Sequence, residues 1–311
     1  MRTADLTVSA IVCAYSDERQ HQLGAALESI RSQDTPPLEI IAVIDHNRRL
    51  EEWTSAEYPD VKTIANAGPQ GPSASRNTGI RFAQGEIVAF LDDDATADAG
   101  WLTRMVAHYA DPNVIGVGGA AMPQWPQQRP RWFPNEFDWV IGCSYRGQPK
   151  HVSPTRNLWG CNMSLRRDLF RHIDGFGETI GEGSGGKGCE ETELCIRATR
   201  AFPQSKIIYD PELTVRHHVA PNRTRWRYFH SRCVAEGRSK AQVVDAVGAR
   251  DGLSNERDYV TRVLPAGIAR GVGDAVLQFD PWGLARAGSI VAGLSYTMWG
   301  YVSARWSNHR M

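Results

Sequence analysis

Three consecutive carboxylates, Asp92-Asp93-Asp94, close an apolar run that begins at Ile87. At the end of a buried strand such charges repel one another and cost stability unless a cation neutralises them. Hard oxygen ligands with open positions suit Mg²⁺ or Mn²⁺, and that ion can in turn bridge a diphosphate. Asp45, ending the run LEIIAVID, adds a further acid of the same kind. The bland alternative is a cap, with Asp94 or Asp98 closing the start of a helix that contains Trp101. A second acidic group, Glu190-Glu191-Thr192-Glu193, follows a Gly-dense stretch. Two carboxylates at a helix N-terminus satisfy the helix dipole. One that faces the first cluster would instead be a general base, and Glu193, a turn later, could equally be the outward-facing member. Arg216-His217-His218 ends a run in which His217 alternates onto the face of Val215, from where it could complete the aspartates' metal coordination.

These groups need elements to position them. The first ninety residues alternate β-rich runs with helical spacing: LTVSAIVCAY, a helix before Pro36, LEIIAVID, VKTIANA, a helix ending at Gly85, then EIVAFLDDD. That alternation predicts an α/β fold with a mostly parallel central sheet flanked by helices. Ligands of such sheets sit outside the carboxyl ends of the strands, so the turn 14–17, Asp45 and Asp92–Asp94 should converge on one crevice. Beyond Trp101 the sequence predicts a helix to about Ala110, a strand NVIGVGGAAM, and a Pro- and Trp-rich loop over 123–139. LWGCNMSLRRDLFRHIDGF reads as strand, turn and helix, and CEETELCIRATRAF as a helix. GVGGAA at Gly116 fails as a dinucleotide turn because MPQWPQ, not a helix, follows it. GEGSGGK at Gly181 fails as a phosphate loop because Gly188 stands where a magnesium-binding Ser or Thr is needed.

Length and charge narrow the function further. The 311 residues carry 35 basic and 35 acidic side chains, which argues against coating nucleic acid through bulk charge. The six cysteines are scattered without a CxxC pair, and the N-terminal run lacks a secretory pattern, so a reduced, cytoplasmic protein is expected. Between Arg216 and Lys240 seven Arg or Lys accompany a single acid, Glu236. The apolar tail LARAGSIVAGLSYTMWGYV is interrupted by Arg286 and falls short of a spanning helix. With that basic segment it suggests a helix packed on the domain, or peripheral contact with the inner face of a membrane.

Taken in order, residues 6–240 resemble the inverting family 2 glycosyltransferases of GT-A fold. The opening strand and turn of that family are matched by Ala14-Tyr15-Ser16-Asp17-Glu18, its base-contacting acid by Asp45, and its Ala-Arg-Asn-x-Gly helix by Ser75-Arg76-Asn77-Thr78-Gly79. His46 stands where a second Asp is usual. The DXD motif is matched by Asp92-Asp93-Asp94, the Gly-x-Asn-Met segment of the acceptor side by Gly160-Cys161-Asn162-Met163 beside Trp159, and the late His by His217. Glu190-Glu191 matches the Glu-Asp motif, with Glu191 at the base position. Asn222-Arg223-Thr224-Arg225-Trp226 keeps only the Arg-Trp of the processive enzymes' Gln-x-x-Arg-Trp.

The resemblance implies a GT-A catalytic domain over 1–218, with a nucleotide-sugar half to about 115 and an acceptor half over 116–218. A mainly helical extension over 219–311 follows. It implies transfer of a single sugar from a nucleotide-diphosphate sugar, UDP-linked by default, to a hydroxyl-bearing acceptor, lipid-linked or anionic. Mn²⁺ or Mg²⁺ would sit on Asp94, Asp92 and His217. Ala14, Tyr15, Asp17, Glu18, Asp45, Arg76, Asp92 and Asp93 would hold the donor, and Glu191 with Glu190 would supply the base. The Trp-rich 125–139 segment and Trp159 are equally suited to stacking on a sugar or to core packing. The competing readings are a sugar-phosphate nucleotidyltransferase, whose Gly-rich basic signature residues 14–24 lack, and a catalytically silent nucleotide-sugar-binding scaffold.

Overall fold

A computed structural model describes residues 6–178, 188–248 and 254–308. The glycine loop from Gly181 to Lys187 lies outside them. Two compact units make up the chain: residues 1–122, 149–178 and 190–217, and residues 123–148, 179–189 and 218–311.

The first unit holds one sheet. Its strands are β1 (Val8–Ala14), β2 (Glu39–Ile44), β3 (Lys62–Ala65), β4 (Ile87–Asp92), β5 (Ala95–Ala97), β6 (Val114–Gln124), β7 (Ser153–Pro154), β8 (Asn162–Arg166) and β9 (Lys206–His218). Their order is β3-β2-β1-β4-β8-β6-β9-β5, with β7 paired to β9. The expected parallel arrangement holds for β3, β2, β1 and β4. Parallel neighbours need crossovers of a dozen residues or more. Helices α1 (Gln20–Arg31), α2 (Arg48–Glu57) and α3 (Pro72–Phe82) provide them. Past β4 the sheet is mixed: β8 enters from the opposite end and pairs antiparallel with both β4 and β6, and β5 and β7 pair antiparallel with β9. The sheet is therefore parallel in its N-terminal half only.

Local sequence explains the flanking helices. Leu23, Ala26, Leu27 and Ile30 recur at helical spacing and are fully buried on the sheet. Each Leu or Ile so buried contributes about 1.5–3 kcal/mol. Asn47 caps α2 by accepting the Leu50 amide at 3.0 Å, and Pro72 opens α3 in its first turn. Gly79 lets α3 lie close on β1: a Cβ there would come within 2.6 Å of Ile11. Helices α4 (Trp101–His108) and α5 (Glu190–Ala201) complete the unit. Asp210 on β9, fully buried, takes Arg104 Nε at 2.6 Å and His108 Nε2 at 2.7 Å and so ties β9 to α4.

The second unit contains a 3₁₀ turn (Asn135–Ile141) and helices α6 (Trp226–Val247), α7 (Ser254–Asp258), α8 (Leu264–Leu277) and α9 (Trp282–Asn308). Its core gathers Phe133, Phe137, Ile141, Phe229, Leu264 and Ile290. Residues 123–148, read from sequence as part of the acceptor half, cluster with these helices. Of the two uses open to the 125–139 aromatics, packing is the one seen: Trp125, Trp132 and Trp139 lie against that core. Gly237 of α6 meets the backbone of Thr297 and Tyr301, and Gly300 of α9 meets that of Val234, so these helices approach backbone to backbone.

Candidate active site

Strand β4 delivers the acidic cluster. Its apolar residues Ile87 to Leu91 are buried, so the chain emerges at the carboxyl end of the sheet with Asp92 in register with Cys13 of β1. Asp93 and Asp94 form the turn into β5, where Ala95 lies opposite His217 of β9. That pairing closes a gap of more than a hundred residues and brings His217 Nε2 to 3.2 Å from Asp94 Oδ1. Asp92, Asp94 and His217 each offer a ligand atom, all within 4.8 Å of one another. Asp94 and His217 are buried, and Asp92 is half-buried. The capping alternative fails on geometry. Helix α4 starts after Gly100, and the Asp98 carboxylate is engaged by Thr214 at 2.6 Å and Arg216 at 2.9 Å.

Two arginines partly neutralise the cluster. Arg19 reaches Asp93 at 2.9 Å and Asp94 at 3.1 Å. Arg76, buried on α3, reaches Glu190 at 2.9 Å, Asp92 at 3.3 Å and Glu191 at 3.6 Å. Arg76 therefore links carboxylates from β4 and α5, which lie far apart in sequence. Among the described residues these ion pairs set five carboxylates against two guanidinium groups, which leaves an excess of negative charge. Asp93 Oδ2 is buried with no hydrogen-bond partner among the described residues. Burial, together with Asp94 and Asp92, raises Asp93 to about 7 against the pull of Arg19. The surplus charge and the two-carboxylate, one-imidazole donor set fit a divalent cation of the Mn²⁺ or Mg²⁺ kind. Burial and the adjacent Glu190 raise Glu191 well above the usual carboxylate range, while Arg76 pulls it back. Cys13, pushed up to about 12 by burial, is no nucleophile here.

The remaining sequence-derived positions divide into two groups. At the ends of β1 and β2, Ala14 accepts the Asp45 amide at 2.8 Å, and Tyr15 is exposed with the Arg19 guanidinium 5.4 Å from its ring centroid. Asp17 accepts from Asn47 at 2.9 Å, and Glu18 is exposed beside it. Asp45 is buried and already holds Asn66 at 2.7 Å and the Gly71 amide at 2.9 Å, which fixes the loop that launches α3. On the other flank, a Cβ at Gly160 would come within 2.5 Å of Arg76 Nη2 and closer still to Glu191 Oε1, so any side chain there must displace those two groups. Asn162 and Met163 are fully buried. Asn162 accepts the Trp101 indole N–H at 2.8 Å and donates to the carbonyls of Leu213 at 2.8 Å and Ala120 at 3.1 Å. Asn162 therefore holds the backbone of Ala120 and Leu213, and Met163 packs in the core beside it. Glu193, whose orientation the sequence left open, is buried and paired with Arg197 at 2.7 Å, because its turn of α5 faces the Asp174–Gly175 carbonyls that Arg197 also binds. Arg19 was missed. The available signal was the need of three adjacent carboxylates for a cation, met by the basic residue nearest the turn after β1.

Comparison with known proteins decides the family. Residues 9–174, just over half of the chain, match the sequence profile of glycosyl transferase family 2. The chain belongs to that family. It is 32% identical over 240 residues to the glucosyl-dolichyl phosphate glucuronosyltransferase of Haloferax volcanii, with 76% of each chain covered. It is 26% identical over 272 residues to the succinoglycan biosynthesis protein ExoM of Rhizobium meliloti, covering 81% of this chain and 84% of that one. Among solved structures, the mannosyltransferase PcManGT of Pyrobaculum calidifontis in complex with GDP-Man and Mn²⁺ superposes with a TM-score of 0.62 at 18% identity. That match covers 94% of this chain and 87% of the other. The fold is GT-A, and the protein is a glycosyltransferase that takes its sugar from a nucleotide sugar. Family membership removes the nucleotidyltransferase and silent-scaffold readings.

Proposed function

We propose that this glycosyltransferase is metal-dependent and inverting, and that it moves a single sugar from a UDP-linked donor to the hydroxyl of a lipid-linked acceptor. The observation that carries the reading is the convergence of Asp92, Asp94 and His217 within 4.8 Å, next to the Arg76–Glu190–Glu191 group at the same strand ends. A divalent ion, Mn²⁺ or Mg²⁺, on those three residues would neutralise the diphosphate as charge builds on the departing β-phosphate. The turn from Ala14 to Glu18, Asp45 and Arg76 hold the base and ribose, with Asp92 and Asp93 completing the donor side. Glu191 accepts the proton of the acceptor O–H. That oxygen bonds to the anomeric carbon on the face opposite the breaking bond to the phosphate oxygen, so the configuration inverts and a nucleoside diphosphate leaves. A base works best when its pKa lies near the working pH, and the raised pKa of Glu191 suits that role. Arg76 fixes the orientation of Glu191, and Gly160 leaves room for that contact beside Trp159 on the acceptor side. A lipid-phosphate-linked sugar as acceptor is supported by the activity for which the Haloferax relative is named.

Calorimetry with UDP, GDP and dTDP, each with and without Mn²⁺, tests the donor half. Binding of one nucleotide that requires Mn²⁺ and disappears in Asp94→Asn is expected. Binding of none of them overturns the donor assignment.

A further inference from the structure

Helices α8 and α9 form a hairpin whose turn is apolar and open to solvent. Leu277 is 79% exposed and Phe279 87%, and Val276, Trp282 and Leu284 beside them are also exposed. The exposed apolar positions continue along α9 at helical spacing through Val291, Met298 and Val302. From Trp282 to Asn308 the helix contains no acidic residue, and its only basic ones are Arg286 and Arg305. The opposite side of α9 is already used, because Gly300 lies on the backbone of Val234 in α6. This helix is therefore apolar both where it packs and where it meets solvent. A contiguous stripe of that kind is unfavourable in water and marks an interaction surface.

We propose that the α8–α9 turn and the outer stripe of α9 dock on an anionic lipid surface. Charge selects that occupant. Asp274 and Asp280, the acids nearest the turn, are both held by Arg286, at 2.8 and 2.9 Å, so they offer little repulsion to anionic headgroups. Arg131, two-thirds exposed, lies 3.4 Å from Asp280 and 5.3 Å from the Trp282 ring centroid, so Asp280 is shared between two cations beside an amphipathic aromatic. Helix α6 runs alongside α9, with His230 and Tyr296 rings 4.3 Å apart. The start of α6 exposes Arg225 and Arg227, and residues 219–235 hold four arginines and no acid. Anionic headgroups complement this combination of apolar stripe and cations. No helix among the described residues is long and apolar enough to cross a membrane, so docking lies in the interfacial plane. The inference is independent of the donor and base assignments.

The test is sedimentation of the full chain with vesicles of phosphatidylcholine, alone or mixed with phosphatidylglycerol. Salt-sensitive binding to the mixed vesicles is expected. The double variant Leu277→Gln/Phe279→Gln should weaken it on the order of tenfold or more, since each buried methylene counts. Arg225→Gln/Arg227→Gln should reduce the preference for phosphatidylglycerol without touching the apolar turn. As a check that depends on no multiple variant, brominated acyl chains should quench tryptophan fluorescence of the unaltered protein, and less so in Trp282→Phe. Absence of vesicle binding or of quenching overturns the proposal, as does binding unchanged by the Leu277/Phe279 substitutions. So does elution as a dimer that those substitutions convert to a monomer, which would assign the stripe to a second copy.

Discussion

Glu191 sits where three influences compete: burial and Glu190 raise its pKa, and Arg76 at 3.6 Å opposes them. A base must be ionised to accept a proton, so the sign follows directly. Transfer activity should rise with pH across the neutral range, whereas an unperturbed glutamate would be fully ionised by about pH 5–6. In Glu191→Gln that limb should vanish and turnover fall by about 10²–10⁴, while calorimetric nucleotide affinity changes by less than about twofold. Unchanged turnover in that variant would move the base elsewhere. Gly160→Ala makes a complementary prediction. Its Cβ enters space now taken by Glu191 and Arg76, so kcat should drop without a matching loss of donor affinity. Equal losses in both would show that Gly160 serves the donor pocket instead. At this scale the sequence displayed the acids well, because carboxylates in runs are conspicuous. Arg19 was hidden, since one arginine among many has no local pattern.

Among the elements, the pairing of β5 with β9 matters most for the site, because it alone carries His217 to Asp94. Asp210 holds the same β9 to α4 through Arg104 and His108. Burial opposes ionisation of Asp210, yet Arg104, His108 and the Glu212 amide hold its carboxyl below the ordinary value. A depressed folded-state pKa stabilises the fold above the unfolded carboxylate pKa, and that contribution is lost as pH falls through the folded value. Asp210→Asn should thus cost about 2–3 kcal/mol at pH 7 and progressively less in acid, measured by urea unfolding at several pH values. A cost independent of pH would mean that packing, not charge, is what Asp210 provides. Strands β1, β2 and β4 and helices α1 and α3 were legible because their apolar periods are regular. The antiparallel entry of β8 was not, because strand direction within a sheet leaves no mark on a strand's own composition.

For the whole molecule, the surplus of negative charge at the strand ends predicts linkage between metal and stability. A cation that binds only the folded chain raises stability by about 2.7 kcal/mol at a hundred times its Kd. Mn²⁺ should therefore raise the Tm of the native protein and leave that of Asp94→Asn unmoved, read by differential scanning calorimetry. A metal-independent Tm in the native protein would leave the cluster's charge to be met by protein groups such as Arg19 and Arg76. The amino-acid sequence by itself determined the class of chemistry and the α/β frame. It did so because residue type fixes what a group can ligate or deprotonate, and because apolar period fixes the element. Tertiary structure alone decided which acids stand together. It put Asp92, Asp94 and His217 together, gave Arg76 to Glu190 and Glu191, turned Glu193 inward to Arg197, and committed the 125–139 aromatics to a core. Those outcomes depend on distances between residues remote in sequence, set by strand order and helix packing, to which no local pattern is sensitive.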